Sequence, residues 1–316
     1  MPEPSDGHVA GLIDGRLFLI GGTYWEGSKG HWTKKIFSAS TLAFDLRTEK
    51  WEKLADAPVT LGYAAYTRVG DELFVLGGMQ DGAPSREVRS FRKVNGAYVW
   101  RRVSQLPDTR LFANAVSVGP LIYVIGGVRE FEPFDAIGTC CTSRTASGTL
   151  WRFDTAQPTA GWKSLAPFPG APRWHHSAVT DGRAIYFFGG LFQAVKDDPI
   201  VKFNDVWRYD LATDIWSRFA DLPEAMLGAA VVRAGERIIL VGKAGRVMLF
   251  DPLTARFSPL DDIPKDVSVN YFGWSGSVLV GASGETPLEG PRRRSEWTFI
   301  GQLHEGSTRA GRVPRK

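Results

Sequence analysis

A short apolar run that ends in Gly-Gly recurs along the chain, and it constrains the fold more than any other feature. The six copies, of which the last two are degraded, end at Gly21-Gly22, Gly77-Gly78, Gly126-Gly127, Gly189-Gly190, Gly242-Lys243 and Gly281-Ala282. Their first glycines are 56, 49, 63, 53 and 39 residues apart. A recurrence of this length indicates that the chain repeats one structural unit six times.

Each copy lies in the same surroundings. A small-residue strand and a turn precede it, as in Ile13-Asp14-Gly15, and a strand that ends in an aromatic residue and Asp follows it, as in Phe44-Asp45. A spaced aromatic residue comes next in the first five copies, at Trp51, Trp100, Trp162, Trp216 and Phe257. Short strands in fours, with 35 Gly and 11 Trp, predict an all-β fold, a six-bladed β-propeller with four antiparallel strands per blade.

Domain organisation follows from the repeats. We expect residues 1–302 to form a single propeller domain, because blades share one continuous core, and residues 303–316 to form a basic C-terminal tail. The sixth blade is either completed by a strand from residues 301–316 or left incomplete. The chain carries a net charge of +4, and from Pro291 onward it has seven basic and two acidic residues, so the basic character lies mainly in this C-terminal segment.

Several classes of protein are disfavoured by composition. No apolar run approaches the roughly 20 residues that a membrane span needs, and the first residues do not resemble a secretory signal, so we expect a cytoplasmic protein with no membrane partner. The only two cysteines, Cys140 and Cys141, are adjacent, and such neighbours rarely form a disulfide. With five histidines and no Cys-x-x-Cys, we expect no metal and no cofactor, and we expect no nucleic acid partner.

The Gly-Gly pair, the aromatic-Asp step and the spaced Trp resemble the kelch repeat over residues 8 to about 300. Two further stretches carry a narrower resemblance. The first insertion has Trp-Glu-Gly-x-Lys-x-x-Trp from Trp25 to Trp32, and the third repeat has Trp162-Lys163 followed by a Pro-rich segment that ends at Arg173. Both stretches are similar to bacterial sialic acid mutarotases, also called N-acetylneuraminate epimerases. The resemblance implies an isomerase that opens and closes the ring of a sugar carrying a carboxylate.

The long insertions lie at 23–39, 128–149, 191–204 and 283–294, and alternating strand direction places them on one face of a propeller. Loops on a rigid scaffold commonly carry function, so we expect the ligand site around the channel mouth on that face. Alignment of the repeats puts Arg110 and Arg173 at equivalent positions, and likewise His8 and His176. Arginine binds carboxylates through two hydrogen bonds; alternatively, each arginine bridges neighbouring blades.

The expected site is built from two groups of residues. The candidate catalytic residues, which would supply the proton donor and acceptor, are Glu26, His175, His176 and Asp197. The candidate ligand-binding residues are Trp25, Lys29, Trp32, Arg110, Arg129, Arg173, Trp174 and Gln193. In this hypothesis the tryptophans stack on sugar faces and the arginines hold anionic groups.

Two functions stay open at the level of sequence. The first is binding of a small anionic or polyhydroxylated sugar, with mutarotase-like isomerisation. The alternative is a non-catalytic protein-interaction module that binds the acidic loop of another protein at the same rim. Leu191 stands where the resemblance leads us to expect a carboxylate, so the sequence leaves open whether the protein is an enzyme, and it leaves the oligomeric state open as well.

Overall fold

The computed structural model describes residues 1–28, 31–132, 144–195, 197–242, 245–263, 271–286, 293–303 and 311–315. In these residues the chain forms β-strands and a short 3-10 turn, Pro158–Ala160, so the predicted all-β class is confirmed. Nothing in the same ranges is both helical and apolar over a length that would cross a bilayer.

The strands of the first half are β1 (Val9–Ile13), β2 (Arg16–Ile20), β3 (Thr23–Ser28), β4 (His31–Phe37), β5 (Thr41–Asp45), β6 (Lys50–Leu54), β7 (Leu61–Gly62), β8 (Ala65–Val69), β9 (Glu72–Leu76), β10 (Met79–Gln80), β11 (Ala83–Pro84), β12 (Glu87–Val94), β13 (Ala97–Gln105), β14 (Asn114–Val118), β15 (Leu121–Ile125) and β16 (Leu150–Asp154). Those of the second half are β17 (Trp162–Ser164), β18 (Ser177–Thr180), β19 (Ala184–Phe188), β20 (Leu191–Phe192), β21 (Val201–Lys202), β22 (Asp205–Asp210), β23 (Ile215–Asp221), β24 (Ala230–Ala234), β25 (Arg237–Val241), β26 (Val247–Asp251), β27 (Arg256–Pro259), β28 (Tyr271–Ser275), β29 (Val278–Ala282), β30 (Glu285–Thr286), β31 (Arg293–Arg294), β32 (Thr298–Gln302) and β33 (Gly311–Arg315).

Six sheets of four antiparallel strands account for most of the described chain. Their strand orders are β1-β2-β5-β6, β8-β9-β12-β13, β14-β15-β16-β17, β18-β19-β22-β23, β24-β25-β26-β27 and β28-β29-β32-β33. The apolar run before each Gly-Gly position forms the second strand of its sheet. These strands are almost fully buried, as in β19, because sheets pack on both of their faces.

The sheets contact one another in a cyclic order. The first strand of each sheet contacts the first strand of the next, from β1 through β8, β14, β18 and β24 to β28, and β28 contacts β1. The repeat tryptophans add a hydrogen bond to the preceding sheet. Trp162 Nε1 donates to Ser104 Oγ at 3.2 Å, and Trp216 Nε1 donates to the Ala166 carbonyl at 2.9 Å. Trp51 Nε1 donates to Thr298 Oγ1 at 3.0 Å and so joins the first sheet to the sixth.

The Gly-Gly pairs pack against the segments that enter the first strands. Gly126 has φ +68°, and a Cβ there would lie 2.4 Å from Cε1 of His176. Gly78 has φ +77°, and its Cβ would lie 2.6 Å from the backbone of Ala64. Glycine is required at both positions by the left-handed backbone and by the lack of space.

Insertions form small accessory sheets. Strand β3 pairs with β4, β20 with β21 and β30 with β31, while β10 pairs with both β7 and β11 in the second repeat. Residues 133–143 of the 128–149 insertion, including both cysteines, lie outside the described residues. Strand β33 pairs with β32 and lies in the segment that the sequence allowed as either a fourth strand or a tail. The domain boundary at residue 302 stays a prediction.

Candidate functional site

A cavity of about 1270 Å³ lies between the first strands of the six sheets. Small residues line its middle part, namely Ala10, Gly11, Ala65, Ala115, Ala178, Ala230 and Gly273. Because these side chains are short, the first strands leave an open space between them. The cavity has two ends, one where the first strands begin and one where they finish.

The end where the first strands begin has an aromatic wall, made of Tyr63, Phe112, Trp174 and His175. The rings of Tyr63 and Phe112 stack at 4.3 Å between centroids, those of Phe112 and Trp174 lie at 5.0 Å, and those of Trp174 and His175 stack at 4.4 Å. We call this end of the cavity the aromatic mouth. Its wall presents a broad apolar surface of the kind that lines ligand pockets.

Three residues of the aromatic wall have a left-handed backbone, with φ of 57° at Tyr63, 53° at Phe112 and 51° at His175. Each lies fourteen residues before the first glycine of its Gly-Gly pair. The equivalent residues of the first and fifth repeats are Gly7 and Gly228, also left-handed. A bulky residue in this conformation is rare and costs free energy, so large side chains occupy positions where glycine would be less strained. Strain of this kind is concentrated at ligand-binding and active sites.

A charged cluster of Asp6, Glu285 and Arg294 lies at the same mouth. The Arg294 guanidinium forms ion pairs with Asp6 at 2.9 Å and with Glu285, and its side chain is 6% exposed. It also donates to the carbonyl and the Oγ1 of Thr23, each at 2.8 Å. Asp6 is bridged to Thr23 through main-chain hydrogen bonds, and Glu285 pairs opposite Arg294 between β30 and β31. Three segments that are distant in sequence therefore meet at Arg294.

A second cation, Lys35, lies over the aromatic rings of this mouth. Its ammonium is 4.6 Å from the centroid of Trp25 and 5.5 Å from that of Tyr63. Trp25 and Lys35 face each other across the β3–β4 hairpin, and the Arg294 guanidinium lies 5.7 Å from the ring centroid of Trp25. The hairpin therefore brings a positive charge and an indole ring to the cavity together.

Three histidines line the cavity, and burial lowers the pKa of each. The pKa of His175 falls to about 4, although the negative charge of Glu285 opposes the shift. The pKa of His176 falls to about 3, despite the hydrogen-bonding contact of its Nε2 with the Ile125 carbonyl. The pKa of His8 falls to about 4, helped by the positive charge of Arg294. All three rings are therefore neutral at pH 7.

Five of the predicted site residues line the cavity: Trp25, Trp174, His175, His176 and Gln193. Gln193 lies beside the start of β21 and donates to the Asp198 carbonyl at 2.9 Å. The structure thus brings together residues from the first and fourth repeats, as the sequence hypothesis requires. Their roles in binding or catalysis stay predictions.

The two predicted arginines, Arg110 and Arg173, do not line the cavity. Each is 2% exposed. Arg110 donates to Ser147 Oγ at 3.1 Å and Thr149 Oγ1 at 2.9 Å. These contacts within the protein favour the alternative in which the arginines are structural.

Arg173 makes a similar set of contacts. It pairs with Asp205 through two nitrogens and donates to the Gly189 carbonyl at 3.3 Å. Its guanidinium lies 3.5 Å from the ring centroid of Phe203. The expectation that a ring of arginines at these repeat positions faces the cavity does not match this geometry.

The remaining predicted residues either lie away from the cavity or are not fully described by the structure. Glu26, Arg129 and Asp197 are exposed and are not part of the lining. Lys29 lies outside the described residues, and of Trp32 only the backbone is described, opposite Gly27. None of these five gains support from the arrangement of the aromatic mouth.

Residues that the sequence hypothesis missed supply most of the charge and half of the aromatic wall: Asp6, Lys35, Tyr63, Phe112, Glu285 and Arg294. The sequence held a signal for two of them, because Tyr63 and Phe112 are the repeat equivalents of Gly7 and His175. The others lie in insertions or in the segment before the first repeat, where no repeat partner marks them.

The fold and the cavity define a class, an all-β repeat protein with a ligand-sized cavity whose one end combines aromatic rings with buried charges. The sequence model of the N-acetylneuraminate epimerase family matches residues 141–275, which confirms the resemblance inferred from the motifs. The match covers the last two strands of the third sheet, all of the fourth and fifth sheets, and the first strand of the sixth.

Individual relatives agree with the family match. The N-acetylneuraminate epimerase of Yersinia enterocolitica is 33% identical over 110 residues, 34% of this chain and 28% of the relative. That of Yersinia pestis is 29% identical over 134 residues, 40% of this chain and 34% of the relative. That of Salmonella typhi is 25% identical over 141 residues, 44% and 37% of the two chains. The matched part of the chain thus spans about a third of the length of these relatives.

Proposed function

We propose that the six sheets are the blades of a kelch-type β-propeller and that the cavity is its central channel. The cyclic contacts of the first strands support this arrangement, and so does the hydrogen bond from Trp51 to the sixth sheet, which repeats the bonds of Trp162 and Trp216. In this arrangement the accessory hairpins and the segments between sheets surround one mouth of the channel.

The proposed activity is mutarotation of a sugar acid of the N-acetylneuraminate type, bound at the aromatic mouth. One observation carries this proposal: strained aromatic residues in the same repeat position stand next to the buried cluster around Arg294. Rings offer a surface for the apolar face of a sugar, and Lys35 offers a donor for its carboxylate. The names of the similar proteins supply the substrate class.

Ring opening requires a base for the anomeric hydroxyl and a donor for the ring oxygen. The proton leaves the anomeric oxygen, the bond between the anomeric carbon and the ring oxygen breaks, and the ring oxygen gains a proton. Rotation of the open ketone and the reverse steps then give the other anomer. We assign the base to Glu285, whose charge acts on His175, and the carboxyl group formed there returns the same proton to the ring oxygen. The neutral His175 ring is assigned the role of a hydrogen-bonding group beside this carboxyl and is not itself a proton donor.

Exchange spectroscopy by NMR tests this proposal on the α and β anomers of N-acetylneuraminate. The wild-type protein is expected to accelerate their interconversion, and Glu285→Gln to lower that rate about a hundredfold, the usual contribution of an acid–base group. Glu26→Gln, a carboxylate outside the cavity lining, is the matched control and should keep the wild-type rate.

Two results would contradict the proposal. An exchange rate that the wild-type protein leaves unchanged would remove the enzymatic function, and retained binding would then favour the non-catalytic module. Equal losses in Glu285→Gln and Glu26→Gln would show that Glu285 has no special role. Thermal melting of both variants separates loss of the base from loss of the fold.

A further inference from the structure

The other end of the cavity, where the first strands finish, has a different chemistry. Two arginines line it, Arg68 at the end of β8 and Arg233 at the end of β24. The two carboxylates of the described cavity lining, Asp6 and Glu285, both belong to the aromatic mouth. We call the end with Arg68 and Arg233 the arginine mouth. Its described lining is therefore cationic, without a carboxylate to neutralise it.

Main-chain carbonyls hold both guanidinium groups in place. Arg68 Nη1 donates to the Leu12 carbonyl of the neighbouring sheet at 2.7 Å. Arg233 Nη1 donates to the Asp181 carbonyl at 2.6 Å, again from a neighbouring sheet, and its Nε donates to the Gly235 carbonyl at 2.8 Å. The side chains are thus fixed at the mouth before any ligand arrives, which lowers the entropy cost of binding.

The positive charges of these two arginines are largely not balanced by nearby carboxylates. Arg68 has no ion pair among the residues that the structure describes. Arg233 approaches Glu236 only at 3.8 Å, and that carboxylate is 85% exposed. The Asp181 side chain is turned to its own loop, where it accepts from the amides of Arg183 and Ala184. Donors on both guanidiniums therefore remain available for a ligand.

We propose that the arginine mouth is a second binding site that takes an oxyanion, a phosphate or a carboxylate group, independently of the sugar site. Arg68 and Arg233 are its charged ligands. The hydroxyls of Thr67 and Ser117 also line the cavity, and Ser117 Oγ donates to the Arg68 carbonyl at 2.5 Å. Trp274 adds an aromatic ring to the lining. The sheets of β8 and β24 stand three apart in the cyclic order, so the two arginines approach the mouth from opposite sides.

Isothermal titration calorimetry with pyrophosphate, at constant ionic strength, tests this site. The wild-type protein is expected to bind with a saturable stoichiometry of one. Arg68→Gln and Arg233→Gln, which change different sheets, should each weaken binding about tenfold or more, since a charged hydrogen bond contributes about 1.5–3 kcal/mol. Arg218→Gln, an exposed arginine on β23, should leave affinity unchanged.

Competition and location complete the test. Citrate that displaces pyrophosphate shows that the site also takes carboxylates, and failure to displace it restricts the site to phosphates; both results support an oxyanion site. Lys35→Met, at the aromatic mouth, should leave pyrophosphate affinity unchanged. The proposal is overturned if wild type shows no saturable binding, if neither arginine variant weakens it, or if Lys35→Met abolishes it. None of these results depends on anomer exchange.

Discussion

Replacement of Arg173 by Met separates a structural arginine from a ligand-binding one. The substitution removes the pairing with Asp205, the bonds to the Gly189 and Ala171 carbonyls and the stacking on Phe203. Asp205 is 15% exposed, and among the described residues it would retain the side-chain bond from Trp207 Nε1 at 2.8 Å. Loss of one partner from a buried ion pair costs about 3–5 kcal/mol, so we expect a loss of that size in the free energy of unfolding.

Urea denaturation followed by tryptophan fluorescence measures this loss. With a slope of about 3 kcal/mol per molar, the midpoint should fall by roughly 1 M or more. The matched control is Arg218→Met. The Arg218 side chain is 59% exposed, and its ion-pair partner Asp221 is 55% exposed. Its cost should stay below about 1 kcal/mol. If Arg173→Met kept the wild-type midpoint and lost sugar binding instead, the structural assignment of Arg173 would be wrong.

Three further predictions concern the sheets and the buried histidines. Gly126→Ala should lower the free energy of unfolding, measured in urea, by about 2 kcal/mol or more, because its Cβ meets His176. The control Gly119→Ala, with φ +56° and open space around the new Cβ, should cost only about 1 kcal/mol. Equal costs in the two variants would contradict the packing argument. The buried histidines bind protons near pH 6.5 when unfolded but only near pH 3–4 when folded, so stability should be full above about pH 6.5 and fall as the pH drops toward 4. Denaturation curves across this pH range should show that stability falls less steeply in His8→Leu than in wild type. An equally steep fall would refute the lowered pKa of His8. Trp51→Phe should lower the melting temperature by about 1–2 °C through loss of its hydrogen bond, about 1 kcal/mol, and no change would argue against a bond between the first and sixth sheets.

The repeats made the sheets predictable. Each apolar run before a Gly-Gly position forms a second strand, as in β2 and β9, because burial on both faces selects continuous apolar residues. The spaced tryptophans marked the repeats in the sequence, and Trp162 and Trp216 bond to the preceding sheet. The sequence alone could not decide whether the C-terminal segment supplies the fourth strand of the last sheet.

The candidate site was predictable only where a repeat position marks it. His175 and Trp174 were found through the segment before β18. For Arg110 and Arg173 the sequence left two alternatives open, because alignment gives a position and no side-chain direction. Arg294 was counted with the basic C-terminal segment, since nothing in sequence indicates that Asp6 and Glu285 reach it. Lys35 lies in an insertion, and its place over Trp25 depends on hairpin register.

The location of the sugar is the measurement that bears most directly on the whole account. A crystal of the protein soaked with N-acetylneuraminate should show difference density against Tyr63 and Phe112, with the carboxylate of the sugar beside Lys35 and its anomeric carbon near Glu285. Density for the sugar on the outer strands, or at Arg110 and Arg173 with the aromatic mouth empty, would contradict the assignment of this mouth as the site.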